Sequence, residues 1–129
     1  INTSWWGGFV IEKEGLRLYH SGDTGWFDGF AEIGQRFGEI HAAMLPIGAY
    51  APRWFMSPQH INPDEAVEAM PILGAKRLIP MHWGAFKLSD EPLDEPPKLL
   101  RTAWERANLP DHSLEIPALG QIMLLDTFV

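Results

Sequence analysis

Two short segments, Ser21-Gly22-Asp23-Thr24-Gly25 and Met81-His82-Trp83-Gly84, hold the residue types best suited to chemistry in this chain. Each directly follows a predicted strand. Loops at the carboxyl ends of neighbouring strands share one rim of an α/β sheet, so Asp23 and His82 can meet despite their separation in sequence. A carboxylate and an imidazole together suit a hard-to-borderline divalent metal. The same residues have a plainer reading, with Asp23 capping its own turn and His82 satisfied at a strand end. His60, preceded by Gln59, stands just before a helix start, where its side chain can reach the same rim as a ligand or substrate contact. His20 reads as strand alternation, and neither His41 nor His112 is assigned a role.

The segment Tyr50-Ala51-Pro52-Arg53-Trp54-Phe55-Met56 sets one guanidinium among three aromatic rings. Arg suits bidentate capture of phosphate or carboxylate, and aromatic rings build apolar pocket walls. Anchoring of a long loop in the core accounts for the same residues. Trp5, Trp6, Trp26 and Trp83 fall beside glycine-containing or rim-proximal segments, where indoles pack with one edge wet. No serine nucleophile elbow, phosphate-binding glycine loop or metalloprotease helix motif is found.

The elements that must position these residues follow from local pattern. Trp5 to Glu12 is apolar, Glu12-Lys13-Glu14-Gly15 has turn chemistry, and Leu16 to His20 alternates with period two, which predicts a hairpin. Phe27, Phe30, Ile33 and Phe37 mark an amphipathic helix ended by Gly38, and Ile40 to Ile47 predicts a buried strand. An aromatic loop then runs from Gly48 to His60. Asn62-Pro63-Asp64-Glu65 starts a second helix, with Asn as N-cap, Pro at the first helical position and acidic residues at the positive end of the dipole. This helix stops near Gly74, and Pro71 is expected to kink or shorten it. Arg77 to Met81 predicts a strand, and Pro97 opens a third helix through Leu99 to Ala107. Leu114 to Ile116 and Gln121 to Leu125 predict two terminal strands. Alternating strands and helices give the α/β class.

Composition sets the limits. A chain of 129 residues fits one domain, 1–129, that buries about 65–70% of the surface its unfolded form exposes. Apolar residues make up 46% and charged residues 21%, the balance of a folded globular chain. Cysteine is absent, which removes disulfides, thiolate metal sites and cysteine nucleophiles, so any metal must sit on His, Asp or Glu. With a net charge of −7 and ten scattered Lys and Arg residues, the electrostatic footprint of a nucleic-acid binder is missing. No apolar run reaches the ~20 residues that span a bilayer, and no transmembrane segment is expected. The start at Ile1 lacks both an initiator Met and a signal pattern, so the compartment stays open, with the cytoplasm as default expectation.

Taken in order, Ser4-Trp5-Trp6-Gly7-Gly8, SGDTGW at 21–26, PIGAYAPRWFM at 46–56, QHINPDEAV at 59–67, MHWGAF at 81–86 and EPP at 95–97 resemble the C-terminal half of a metallo-β-lactamase superfamily protein. Within that superfamily the resemblance is to the N-acyl-phosphatidylethanolamine-hydrolysing phospholipase D family and its bacterial relatives, with a lactonase-like branch more distant. It implies a sheet with helices packed on it, as one half of a four-layered αββα sandwich, and a pair of zinc ions at the rim between the halves. Carried over by motif, Asp23 matches the carboxylate bridging the two metals, and His82 matches the last histidine ligand. His60 matches a residue lining the site, as a substrate-side contact or proton donor, and not a metal ligand. Gln59 accompanies His60 on the substrate side, and Arg53 and Trp83 serve orientation and pocket shape. The implied reaction is hydrolysis of a phosphodiester with a lipid portion.

The sequence departs from that family at one point. The H-x-H-x-D-H cluster that supplies the other ligands is absent, and no H-x-H occurs anywhere in the chain. A catalytic zinc takes three protein ligands plus water, so one half-site should hold zinc poorly, and the chain alone is expected to be inactive. Its sheet surface should need a cover. That cover is a missing N-terminal half on the same chain, a missing half on a separate chain, or a second copy in a homodimer. The rival to a hydrolase is a non-catalytic half-fold that pairs with itself or another chain.

Overall fold

A two-residue turn opens the architecture. Glu14 and Gly15 both adopt positive φ, 52° and 86°, as a tight primed hairpin turn requires, and they join β1 (Phe9–Lys13) to β2 (Leu16–His20) in antiparallel register with Lys13 opposite Leu16. The protein is represented by a computed structural model that describes residues 6–124. After the hairpin come α1 (Gly29–Phe37), β3 (Ala42–Pro46), a short α2 (Arg53–Met56), α3 (Pro63–Leu73), β4 (Leu78–Met81), α4 (Glu95–Arg106) and a 3₁₀ turn at Asp111–Ser113. The sheet order is β1-β2-β3-β4, with β2, β3 and β4 mutually parallel. The chain therefore has the expected α/β class, a sheet with helices packed on it.

Strand alternation divides the sheet into two unlike faces. Val10, Tyr19, Ala43, Leu45 and Leu78 point to the side where Phe30 of α1, Ala66 to Leu73 of α3, and Leu100, Ala103 and Trp104 of α4 form the main core. Gly34 lets α1 approach α3 closely, since a Cβ there would lie 2.4 Å from the Ile72 carbonyl oxygen. The opposite face carries Leu18 and Ala42, flanked by Leu16, Met44 and Ile79 and partly covered by Met123. On the same face of β1, Phe9 is 72% exposed and Ile11 53% exposed.

Five expectations are corrected. The aromatic loop contains the single turn of α2, because Pro52 in extended conformation leads into it and the Ser57 N–H closes on the Arg53 carbonyl. Pro71 neither shortens nor ends α3, since it falls in the last turn, where it removes one intrahelical bond, and Gly74 in the left-handed region closes the helix. In α4 the helix begins at Glu95, so Pro96 and Pro97 both occupy the first turn, where no N–H is needed. Leu114 to Ile116 makes one parallel bridge from Leu114 to Leu78 and then meets Pro117, which has no N–H to extend a ladder. Residues 121–124 form no strand, and Leu125 lies outside the described residues, as do Ser4 and Trp5.

Candidate metal centre

Three loops meet at the carboxyl end of the parallel strands. The first follows β2: the Ser21 N–H donates to the Met44 carbonyl at 3.1 Å, and the Gly22 N–H donates to Nδ1 of His20 at 3.0 Å, so His20 fastens the turn that presents Asp23. Gly22 takes a φ of 66°, and a Cβ on it would meet the Gly7 carbonyl oxygen at 2.6 Å. The second loop leads into α3. There the Asn62 side chain accepts from the Glu65 N–H and the Glu65 carboxylate accepts from the Asn62 N–H, both at 2.9 Å, a reciprocal capping box. Thr24, buried, accepts the Ile61 N–H on its carbonyl at 2.9 Å and so ties the two loops together. The third loop follows β4, where His82 sits at a φ of 59°, a left-handed conformation that costs a residue with a Cβ.

These loops bring Asp23, His60 and His82 together, each offering a ligand atom within 4.8 Å of the others. His82 Nε2 lies 3.4 Å from Asp23 Oδ2, and the two imidazole rings stack with centroids 5.0 Å apart. The Asp23 side chain is 64% exposed and that of His82 20%. Burial holds His60 below the ordinary histidine value, with His82 and Arg53 acting the same way against the opposing pull of Asp23 and Glu91, so the neutral imidazole is favoured. Beside them opens a cleft of about 490 Å³ lined by Trp6, Asp23, Thr24, Gly25, Pro58, Gln59 and His60.

The arrangement fits a metal ion. The Nδ1 atoms of His60 and His82 are buried without a hydrogen-bond partner among the described residues, an arrangement that is costly for imidazole unless another group engages it. One carboxylate and two imidazoles form an O,N,N donor set of the kind that borderline divalent cations take.

The remaining expected residues fall in different places. Gln59 lines the cleft. Arg53 turns its guanidinium inward, donating from Nη1 to the His60 carbonyl at 2.8 Å and from Nη2 to both Glu65 carboxylate oxygens at 2.9 and 2.8 Å. Trp83 packs against the main core and lines a small pocket with Gly48, Ala49 and His82, and it is not among the residues lining the Asp23 cleft. Trp6 forms part of the cleft wall, while Trp26 stands edge-on to Phe30. Two further residues, Glu65 and Glu91, support the site without being candidates for it in the sequence. Glu65 was detectable as the third helical residue after an Asn N-cap, the spacing of a capping box. Glu91 had no local signal, because its partners lie about 40 residues away in the chain.

Comparison with known proteins bears on this geometry. The family model described as "Beta-lactamase superfamily domain" matches residues 1–83. Over 127 residues the chain is 40% identical to N-acyl-phosphatidylethanolamine-hydrolyzing phospholipase D 1 of Caenorhabditis elegans, a match covering 94% of this chain and 35% of that protein. Over 128 residues it is 38% identical to the mitochondrial N-acyl-phosphatidylethanolamine-hydrolyzing phospholipase D of Saccharomyces cerevisiae, covering 97% of this chain and 27% of that one. The solved structure of Igni18, described as a novel metallo hydrolase from Ignicoccus hospitalis, matches with a TM-score of 0.64 and 26% identity over 88% of this chain and 43% of that chain. The chain thus spans about a third of the length of the curated relatives it matches. No helix among the described residues is long and apolar enough to cross a membrane.

Proposed function

Because the chain belongs to the metallo-β-lactamase superfamily, we propose that it is the C-terminal half of a metal-dependent hydrolase in which Asp23 and His82 are metal ligands and His60 stands on the substrate side. The convergence of these three side chains, with two buried imidazole nitrogens left unpaired, is the observation that supports this reading most directly. Zinc is the metal proposed, as a pair whose other ligands come from outside these residues. Bound there, it supplies Lewis acidity and a lowered water pKa.

The chain's own residues do the rest. Asp23 presents an exposed carboxylate to the cleft, and His82 presents its imidazole from a fixed, left-handed backbone. His60, favoured in the neutral form, lines the cleft and takes up or releases a proton on its substrate side. Gln59 and Trp6 shape the cleft, and Arg53 orients His60 through its carbonyl. The substrate proposed is a phosphodiester with a lipid portion, in line with the names of the nematode and yeast relatives.

The test is metal content and hydrolysis in the complete enzyme. Asp23→Ala and His82→Ala should each lower bound zinc and hydrolysis together. Full occupancy and full activity in both variants would reject the assignment.

A second reading, a non-catalytic half-fold pairing with another copy, is supported by the exposed apolar face at Phe9 and Ile11 and by the absence of any H-x-H in the chain. Light scattering together with elemental analysis separates the two: a dimer without zinc favours the non-catalytic half-fold, and a chain that takes up zinc only with the remaining half favours the first reading.

A further inference from the structure

Glu91 is the one buried carboxylate among the described residues. It comes from the acidic, proline-rich stretch after β4, yet it is committed to the loop after β3. Its Oε1 accepts the Ala49 N–H at 2.6 Å and the Tyr50 N–H at 3.3 Å, and its Oε2 accepts the Ala51 N–H at 3.0 Å. Three successive amides converge on one anion because Ala49 takes a φ of 60°, which turns its neighbours' N–H groups to the same side. Two further bonds secure the junction: the Asp90 N–H donates to the Ala51 carbonyl at 3.2 Å, and the Tyr50 hydroxyl donates to Glu95. Burial alone would raise the Glu91 carboxyl, but the Ser89 side chain and the backbone amides outweigh it and hold the group below the ordinary carboxylate range.

The loop that Glu91 holds rests on its other side against His82. A Cβ at Gly48 would lie 2.2 Å from the His82 carbonyl oxygen, closer than any side chain permits, so the two backbones touch directly. One residue earlier, the Ile47 N–H donates to the Met81 carbonyl at 3.0 Å. Ala49 and His82 are both left-handed non-glycine residues, on loops in contact, and neither conformation is held by its own sequence.

We infer that Glu91 is a positioning residue for His82: by gathering the amides of Ala49, Tyr50 and Ala51, its carboxylate fixes the loop that braces the His82 backbone and so aims the imidazole at the Asp23 side of the site. The inference rests on the reading of Asp23 and His82 as metal ligands. Glu91 touches neither ligand, and it acts only through the Gly48–Ala51 backbone.

The test titrates cobalt(II) into the complete protein and follows the visible d–d absorption, whose position reports ligand geometry, beside the thermal melting of the metal-free form. Glu91→Gln keeps the shape but removes the charge and turns one acceptor into a donor facing N–H groups. It should weaken cobalt binding about tenfold, within the range for groups that orient metal ligands, and shift the band. Glu91→Asp keeps the charge but shortens the reach, and should give a smaller loss with a shifted band. If Glu91→Gln does not fold, Glu91→Asp decides the matter by itself. Wild-type affinity and an unchanged band in the folded variants, whatever their melting temperature, would overturn the inference while Asp23→Ala still loses cobalt. Wild-type cobalt binding by Asp23→Ala would overturn the ligand assignment, and the role of Glu91 with it.

Discussion

The imidazoles of His60 and His82 lie stacked at 5.0 Å with planes 29° apart, although one precedes α3 and the other follows β4. Two adjacent imidazoles with unpaired buried nitrogens need not share a role. If His60 serves the substrate, His60→Ala in the complete enzyme should retain zinc within a few-fold yet lose about 10²–10⁴-fold in hydrolysis, the usual contribution of a positioned acid or base. His82→Ala should lose both. Elemental analysis of the two variants beside their rates separates the roles, and loss of zinc from His60→Ala would make His60 a third ligand instead.

Arg53 acts on His60 from behind. Its fork spans the His60 carbonyl and the Glu65 carboxylate, a geometry that a lysine ammonium cannot reproduce. Arg53→Lys should therefore cost about 1–2 kcal/mol of stability, as expected for losing one or two partly exposed charge-assisted bonds. Urea unfolding of the complete protein measures this, and the hydrolytic rate should fall with it because His60 loses its brace.

The acid limb of the stability curve should bear the mark of Glu91. Its carboxyl is held below the ordinary value in the folded state, so its contribution is present above the unfolded carboxylate pKa and is lost as pH falls through the lower folded value. The stability gap between wild type and Glu91→Gln should be widest at neutral pH, hold down to about pH 4.5 and close below it. Chemical denaturation at stepped pH checks this. A gap that grows on acidification would contradict the sign.

The sheet face opposite the helices should make the isolated 129-residue chain self-associate, since Phe9 and Ile11 stand exposed beside Leu18 and Met44. Replacing both with lysine, Phe9→Lys and Ile11→Lys, should lower the mass measured by light scattering toward that of one chain.

Which parts of this architecture were legible in the sequence follows from the range of the interactions. The hairpin turn at Glu14-Gly15, the Asn62 cap and the loops carrying Asp23 and His82 are written in neighbouring residues, and each appears where local chemistry places it. The terminal strands do not, because apolar composition near Leu114 and Ile122 reads as strand, while Pro117, which has no N–H, stops the ladder after the single Leu114–Leu78 bridge. The bracing of His60 by Arg53, and of the Gly48–Ala51 loop by Glu91, is a matter of which side chain crosses space to which amide, and periodicity holds no record of that.

The segment from Ala49 to His60 is moored at both ends by carboxylates from outside it, and the two moorings differ in kind. Glu91 is buried and binds main-chain amides, whereas the Arg53–Glu65 pair is a third to a quarter exposed and binds through side chains. Added salt screens exposed pairs far more than buried ones. Rising ionic strength should thus loosen the segment from the His60 end first while the Ala49 end stays fastened. The site's tolerance for differently shaped ligands would then depend on the medium as well as on the residues that line it.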